Sequence, residues 1–184
     1  SNVTDGLLLC NNNQFNLARH DRPGGVRGGG VCLFIRKTFN FTVVSLPAEF
    51  NIIEVLCVDV ICNDFKQRLI CVYRPPGSDV CYTKQLIDCL NFLCDIDFTC
   101  MICGDFNFPC INWSDSFDPQ SLPAQEAQLA SFVIDNGLLQ LINEPTRALN
   151  VLDLLFVNDP LAVHDVSVFP PFSTSDHNAI MWHC

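Results

Sequence analysis

Four short polar clusters contain the residues of this chain whose types are best suited to chemistry. In chain order they are Tyr73-Arg74-Pro75-Pro76, Gly104-Asp105-Phe106-Asn107, Thr146-Arg147 with Leu152-Asp153, and Ser175-Asp176-His177. Each cluster borders a run of apolar residues typical of a buried strand. If these strand ends meet, carboxylates, an amide and an imidazole from distant segments gather at one place. Such a group can perform acid–base chemistry on a positioned water.

The second cluster follows a short apolar run at residues 99–104. Gly104 allows a sharp turn, and Asp105 and Asn107 are two residues apart, so both side chains point the same way from an extended segment. A carboxylate beside an amide can orient a water and accept its proton. The alternative is an Asx-turn in which Asp105 only ends the strand. This segment by itself leaves both interpretations open.

The third and fourth clusters supply a carboxylate and an imidazole. Asp153 lies in an otherwise apolar run, Leu152 to Val157, so its carboxylate should have a polar partner. Asp176 and His177 are adjacent and face apart on a strand, so one can bind a metal ion while the other meets a substrate. A carboxylate that accepts from Nδ1–H of His177 would leave Nε2 for the reaction, and Asp153 is the candidate. A lone histidine is more often an ordinary surface or core residue, but four clusters together favour a site.

The elements that must position these clusters are strands and helices in alternation. Runs rich in Val, Ile, Phe and Cys predict strands at residues 31–36, 41–46, 52–62, 68–74, 99–104, 138–142, 152–157, 163–169 and 179–183. Helical spacing of apolar residues predicts helices at 82–94 and 123–136. Residues 1–30 are polar and predict a loop, and Gly28-Gly29-Gly30 predicts a flexible turn into the next strand. The order indicates one α+β domain over residues 1–184, with two packed sheets and helices outside.

Composition limits the class of protein further. Apolar residues make up 49 % and charged residues 16 %, which is typical of a chain with a sizeable core. The net charge of −10 argues against DNA binding through overall charge, although half of the ten basic residues lie between Arg19 and Lys37. No apolar stretch reaches the ~18 residues that cross a membrane, so no membrane association is expected. Twelve cysteines, mostly within apolar runs, predict reduced core thiols and an intracellular, reducing compartment.

The order and spacing of the clusters resemble the endonuclease/exonuclease/phosphatase superfamily, whose signatures are a Tyr-Pro segment, Gly-Asp-Phe-Asn and Ser-Asp-His. Tyr73-Arg74-Pro75-Pro76, Arg19-His20-Asp21-Arg22 before the glycine run, and Asn143-Glu144-Pro145-Thr146-Arg147 look more like the endonucleases of non-LTR retrotransposons. The resemblance covers residues 17–184. It implies a DNase I-like, four-layer α/β/β/α sandwich and a DNA-nicking phosphodiesterase that uses Mg²⁺, for which Mn²⁺ can substitute. It also implies fusion to a reverse transcriptase and action in the nucleus.

The resemblance assigns catalytic roles to five residues. It implies that Asp105 activates or positions the attacking water and that Asn107 orients it. It implies that His177 contacts the scissile phosphate and stabilises its developing charge. Asp153 would orient His177, and Tyr73 would contact the phosphate.

The same resemblance assigns binding roles to four more residues. Asp176 would belong to the metal side of the site. Thr146 would line the DNA-facing pocket, and Arg74 and Arg147 would bind the substrate.

One departure from the superfamily concerns the first part of its pattern. The superfamily opens with a strand that carries an asparagine and a second strand that ends in a metal-binding glutamate, and neither motif is present here. The chain has four glutamates, all in other contexts: Glu49, Glu54, Glu126 and Glu144. The domain is therefore expected to be N-terminally incomplete, without its first two core strands, which would leave sheet edges exposed. We also expect little Mg²⁺-dependent nicking by this chain alone. Two alternatives to the endonuclease stay open: a phosphatase or sphingomyelinase of the same fold, and a catalytically inactive remnant.

Overall fold

The computed structural model describes residues 14–25, 28–62, 65–113 and 118–184, and these contain ten strands and two α-helices. The elements are β1 (Phe15–His20), β2 (Val31–Arg36), β3 (Asn40–Val43), β4 (Glu54–Cys62), β5 (Phe65–Tyr73), α1 (Val80–Cys94), β6 (Thr99–Asp105), α2 (Ala124–Asp135), β7 (Leu139–Gln140), β8 (Asp153–Val157), β9 (His164–Phe169) and β10 (Ala179–His183).

Six strands form a central mixed sheet in the order β3-β4-β5-β6-β8-β7. Neighbouring strands are antiparallel except β5 and β6, which are parallel and joined through α1. As a result, β5 and β6 end at the same edge of the sheet where β4 and β8 begin. This edge carries the first three polar clusters.

Both helices pack on one face of the central sheet. α1 begins at Asp79, whose carboxylate accepts from the Tyr82 amide, and α2 follows Pro123. Leucines at helical spacing, such as Leu86, Leu90 and Leu93, are fully buried there. They meet the aliphatic, cysteine and aromatic side chains that alternate strand residues turn toward this face: Val55, Cys57, Ile70, Val72, Cys100, Ile102, Leu154 and Phe156.

Two hairpins cover the opposite face of the sheet. The β1–β2 hairpin packs on Leu56 and Val58, and the β9–β10 hairpin packs on Met101, Leu155 and Val157. Within the described residues no strand links β2 to β10, so each hairpin forms a separate two-stranded sheet. The helices, the central sheet and the hairpins are the layers of a DNase I-like α+β sandwich, and this predicted fold class is confirmed.

The loop predicted over residues 1–30 is wrong for residues 15–20. Those residues form β1, which pairs antiparallel with β2 from Phe15 opposite Arg36 to His20 opposite Val31. Its sequence, FNLARH, has little apolar alternation, and only Ala18 is fully buried. The strand is therefore defined by its pairing with β2 rather than by a pattern of its own. In the described part of the chain, no helix has the length and apolar character required to cross a membrane.

Candidate active site

A row of polar side chains crosses the end of the central sheet. Glu54 is the register partner of Tyr73, Tyr73 of Asp105, and Asp105 of Asp153. Partners in register project to the same face of a sheet. The topology therefore brings the ends of β5 and β6 and the starts of β4 and β8 to one site, on the face that the hairpins cover.

Asp105, Asp153 and His177 form the centre of this site. Nδ1 of His177 lies 2.8 Å from Oδ2 of Asp153, and Nε2 of His177 lies 3.9 Å from Oδ2 of Asp105. One ligand atom from each of the three residues falls within 4.8 Å of the others. The predicted polar partner of Asp153 is thus His177. With Nδ1–H donating to Asp153, Nε2 remains on the side of Asp105.

Local backbone geometry aims Asp105 at this centre. Gly104 has φ +140°, and a Cβ there would overlap the carbonyl oxygen of Val72 on β5, so only glycine fits this position. Oδ1 of Asp105 accepts a hydrogen bond from the backbone amide of Asn107 at 3.0 Å. Its Oδ2 accepts one from the side-chain amide of Asn107 at 2.9 Å. The Asx-turn interpretation and the functional one are therefore compatible, because the turn itself holds the carboxylate beside His177.

Thr146 links the start of β8 to the loop of His177. Its hydroxyl is fully buried and accepts the amides of Leu152 at 2.9 Å and Asp153 at 3.0 Å, while its carbonyl accepts the amide of Asn178 at 2.7 Å. Ser175 accepts the His177 amide at 3.0 Å and tightens the same loop. Thr146 was expected to line a DNA-facing pocket, but its side chain faces backbone amides inside the protein. Its placement indicates a supporting role for the Asp153–His177 pair.

Arg74 is also placed differently from the expectation that it binds substrate. It is buried, and its guanidinium donates to Gln125 Oε1 at 2.7 Å and to the carbonyl of Asn107 at 3.2 Å, while it stacks 4.0 Å from the ring centroid of Phe108. Burial lowers the pKa of Arg74. Since its donors are directed at protein acceptors, Arg74 holds the Asn107 turn against the helices.

Arg147 and Asp176 lie at the exposed rim of the site. Arg147 donates to Asp176 from Nε at 2.8 Å, and its Nη2 lies 2.6 Å from the same carboxylate oxygen. Hydrogen bonding to Arg147 lowers the pKa of Asp176. Asp176 lies outside the cluster of Asp105, Asp153 and His177. Its predicted metal-binding role and the predicted substrate contact of Arg147 stay predictions, and each would require this ion pair to open.

Two residues at this edge, Glu54 and Arg22, were not recognised from the sequence as part of a site. Glu54 was set aside for its context, yet it opens β4 in the same row as Tyr73 and is 2 % exposed. Its carboxylate is paired with Arg22 at 2.7 Å. The sequence did contain a signal for Glu54, which stands at the start of a long apolar run. A carboxylate in such a place requires a polar partner.

The partly buried pair of carboxylates, Asp105 and Asp153, gives Asp105 unusual protonation behaviour. Burial and the charge of Asp153 raise the pKa of Asp105 from 3.8 to about 6, against the lowering effects of His177 and Asn107. Ionised Asp105 therefore costs the folded protein stability. A cation near Asp105 and Asp153 would relieve this repulsion.

The stability of the metal-free protein should reveal this cost. Because the folded-state pKa of Asp105 is raised, this carboxyl makes its full favourable contribution to the free energy of unfolding below pH 3.8. That contribution is lost as the pH rises through about 6. The free energy of unfolding of Asp105→Asn, minus that of the wild type, should become more positive by up to about 3 kcal/mol between pH 4 and pH 8. Denaturant unfolding in EDTA measures this difference, and a difference that does not change with pH would contradict it.

The donors of the central cluster fit a hard divalent cation. The two carboxylates offer oxygen ligands, and Mg²⁺ is commonly bound by one or two carboxylates together with retained waters. Imidazole nitrogen is a poorer ligand for such an ion, and Nδ1 of His177 is already bonded to Asp153. Asp105 and Asp153 are therefore the residues that would hold a cation.

Comparison with known proteins identifies the family of the chain and solved structures that share its fold. A sequence model of the endonuclease-reverse transcriptase family matches residues 67–181, whereas no curated protein matches the chain. The structure is similar to the endonuclease domain of TRAS1, a telomere-specific non-LTR retrotransposon, with a TM-score of 0.70 and 16% identity over 92% of this chain and 80% of that chain.

Two further solved structures share the fold. One is a 3'-5' exonuclease from Neisseria meningitidis, with a TM-score of 0.61 and 17% identity over 92% of this chain and 79% of that chain. The other is an AP endonuclease from Archaeoglobus fulgidus, with a TM-score of 0.59 and 14% identity over 92% of this chain and 79% of that chain. The family match spans more than half of the 184 residues and includes Asp105, Asp153 and His177. The chain therefore belongs to the endonuclease-reverse transcriptase family, within the endonuclease/exonuclease/phosphatase superfamily of phosphoester hydrolases.

Proposed function

We propose that this chain is the DNA-nicking endonuclease domain of a retrotransposon-type protein, and that it hydrolyses phosphodiesters with Mg²⁺, for which Mn²⁺ can substitute. The observation that carries the proposal is the convergence of Asp105, Asp153 and His177 within 4.8 Å at the end of one sheet. We treat residues 1–184 as a single domain of that protein, joined to a reverse transcriptase and acting on DNA in the nucleus.

The central residues divide the steps of the proposed reaction between them. Asp105, held by Asn107, orients the attacking water and accepts its proton. His177, in its doubly protonated form, donates from Nε2–H to the scissile phosphate and stabilises the charge that develops on its oxygens. Asp153 accepts from Nδ1–H across the 2.8 Å contact, which orients the ring. Tyr73, the register neighbour of Asp105, contacts a phosphate oxygen.

A bound divalent cation would supply further charge stabilisation to the phosphate. Asp105 and Asp153 would hold it, with Asp176 able to approach if its pair with Arg147 opens. The acidic net charge of −10 leaves few cations for broad contact with the DNA backbone. We therefore expect binding that depends on the site and weakly on overall charge.

A fold retained without turnover is the second candidate. The observation that favours it concerns Glu54, the buried glutamate at this edge of the sheet. Its carboxylate is occupied by Arg22 and by the amide of Gly30, so it is not available to a cation in this arrangement. On this candidate the chain alone shows little Mg²⁺-dependent nicking.

Cleavage of supercoiled plasmid tests the proposal. The wild type with Mg²⁺ should produce open circles, while EDTA, or Asp105→Asn in a protein purified in the same way, should remove this activity. Inositol phosphates and sphingomyelin vesicles, assayed in parallel for released phosphate and phosphocholine, test the phosphatase and sphingomyelinase alternatives.

The outcomes separate the candidates. Nicking that requires both the metal and Asp105 supports the endonuclease. Hydrolysis of the small or lipid phosphoesters without nicking would replace it with the phosphatase or sphingomyelinase alternative. A folded protein that hydrolyses none of these substrates would identify the inactive candidate.

A further inference from the structure

Arg22 and Glu54 form an ion pair beside Tyr73, at the same edge of the sheet as the central cluster. Nε of Arg22 lies 2.7 Å from Oε1 of Glu54, which is 2 % exposed, whereas the Arg22 side chain is 23 % exposed. The guanidinium carbon of Arg22 lies 5.6 Å from the centroid of the Tyr73 ring, within the range of a cation–π contact. Arg22 thus bridges a buried anion and the aromatic ring that lies next to Asp105.

The glycine run encloses this ion pair. Gly28, Gly29 and Gly30 have φ values of +86°, +78° and +82°. The amide of Gly30 donates to Oε2 of Glu54, and a Cβ at Gly29 would overlap the guanidinium of Arg22 and the same carboxylate oxygen. A Cβ at Gly28 would meet nothing within 4 Å. The predicted flexible turn is therefore a close-fitting loop over Arg22 and Glu54.

Glu54 is fixed from a second direction as well. Its backbone amide donates to the hydroxyl of Tyr82 on α1 at 3.2 Å. Hydrogen bonding to Glu54 is the main cause that raises the pKa of Arg22, and Tyr73 contributes to the same rise. The guanidinium therefore stays charged and oriented while its remaining surface faces Tyr73.

We propose that Arg22, held by Glu54 and the Gly28–Gly30 loop, is a positioning residue that fixes the Tyr73 ring against the substrate phosphate. This inference rests on the proposed function, in which Tyr73 contacts that phosphate. Arg22 acts through Tyr73 and leaves the chemical roles of Asp105 and His177 unchanged. Its planar, always charged guanidinium suits both tasks, because it donates to a carboxylate along one edge and contacts an aromatic ring with its face.

Kinetics on plasmid or oligonucleotide DNA test the role of Arg22. Arg22→Ala should lower kcat roughly 10-fold with little change in KM, since a misplaced contact costs rate rather than general affinity. Arg22→Lys should recover part of the loss. In the Tyr73→Phe background, Arg22→Ala should cost less than about twofold, because the hydroxyl to be positioned is already absent. If Arg22→Ala costs the same factor in both backgrounds and mainly raises KM, then Arg22 binds substrate directly and the inference is wrong.

Two alanine substitutions in the loop provide a matched pair. Gly28→Ala and Gly29→Ala introduce a side chain at nearly the same positive φ, but only the second displaces the Arg22 guanidinium. Gly29→Ala should therefore reproduce the kcat loss of Arg22→Ala, and Gly28→Ala should stay within about twofold of the wild type. Thermal unfolding of both variants identifies any loss that comes from stability alone. Equal effects of the two substitutions on kcat would contradict the inference.

A spectroscopic measurement tests the contact without any activity. The chain contains two tyrosines, so ¹³C-tyrosine labelling gives two sets of ring signals, which Tyr82→Phe assigns. Arg22→Ala and Gly29→Ala should shift the Tyr73 signal, and Gly28→Ala should not. An unchanged Tyr73 signal in Arg22→Ala would overturn the inference even if the wild type cleaves DNA. A shifted signal in a protein that cleaves nothing would refute the proposed function and leave the Arg22–Tyr73 contact standing.

Discussion

Replacing His177 by alanine should lower the rate of plasmid nicking by a factor on the order of 10³, with the protein still folded. The imidazole lies between Asp153, 2.8 Å from Nδ1, and Asp105, 3.9 Å from Nε2. Without the imidazole, the negative charge that develops on the phosphate loses the hydrogen-bond donor that stabilises it. The measurement is the initial rate of conversion of supercoiled to open-circular DNA at saturating Mg²⁺.

A second histidine provides the control for that experiment. His183 ends β10, in the hairpin whose connecting loop contains His177. Its side chain is more than half exposed and stacks on His164 at a ring-centroid distance of 5.7 Å. His183→Ala removes the same chemical group outside the cluster of Asp105, Asp153 and His177, so it should cleave at the wild-type rate. If the two variants are equally active, the plasmid nicking does not come from the proposed site.

Replacing Thr146 by valine should destabilise the protein by roughly 2–6 kcal/mol. Valine keeps the shape of threonine but cannot accept the amides of Leu152 and Asp153, which the Thr146 hydroxyl accepts at 2.9 Å and 3.0 Å. Each amide that loses its acceptor in a buried place costs about 1–3 kcal/mol. Denaturant unfolding at a single pH gives the difference in the free energy of unfolding. The slope of that free energy against denaturant concentration should be the same for both proteins.

Thr146→Ser separates this hydrogen bonding from packing. Serine retains the acceptor oxygen and loses one buried methyl group, so the expected loss is about 1 kcal/mol. If Thr146 instead contacted DNA, as the family resemblance implies, Thr146→Val would raise KM and leave stability unchanged. That result would require the loop of Thr146 to open in solution.

Much of the fold could be predicted because its elements have strong local patterns. The strands at Val31–Arg36 and Ala179–His183 and the two helices lie where apolar runs and helical spacing placed them, with ends shifted by at most a few residues. Strand β1 was missed because its pairing with β2 defines it. The two-residue strand β7 is shorter than its apolar run predicted, since only Leu139 and Gln140 pair with β8.

The central residues of the site could be recognised for the same reason. Asp105 and Asn107 stand in a turn that Gly104 makes possible, and Asp153 and His177 are polar residues next to apolar strands. The buried positions of Arg74 and Thr146 could not be predicted from the sequence, because they depend on α1, α2 and the loop of Asn178. No local pattern contains that information.

The sequence by itself determined most of the strands, both helices and which reactive groups stand at the ends of these elements. Only the tertiary structure decided which of these groups meet. His177 reaches Asp153 across 24 positions, and Arg22 reaches Glu54 across 32 positions. Both contacts depend on the order of strands in the sheet and on how the hairpins cover it. Residue spacing along the chain sets local direction, but sheet topology sets distance between segments, and it is this distance that makes a carboxylate and an imidazole act together.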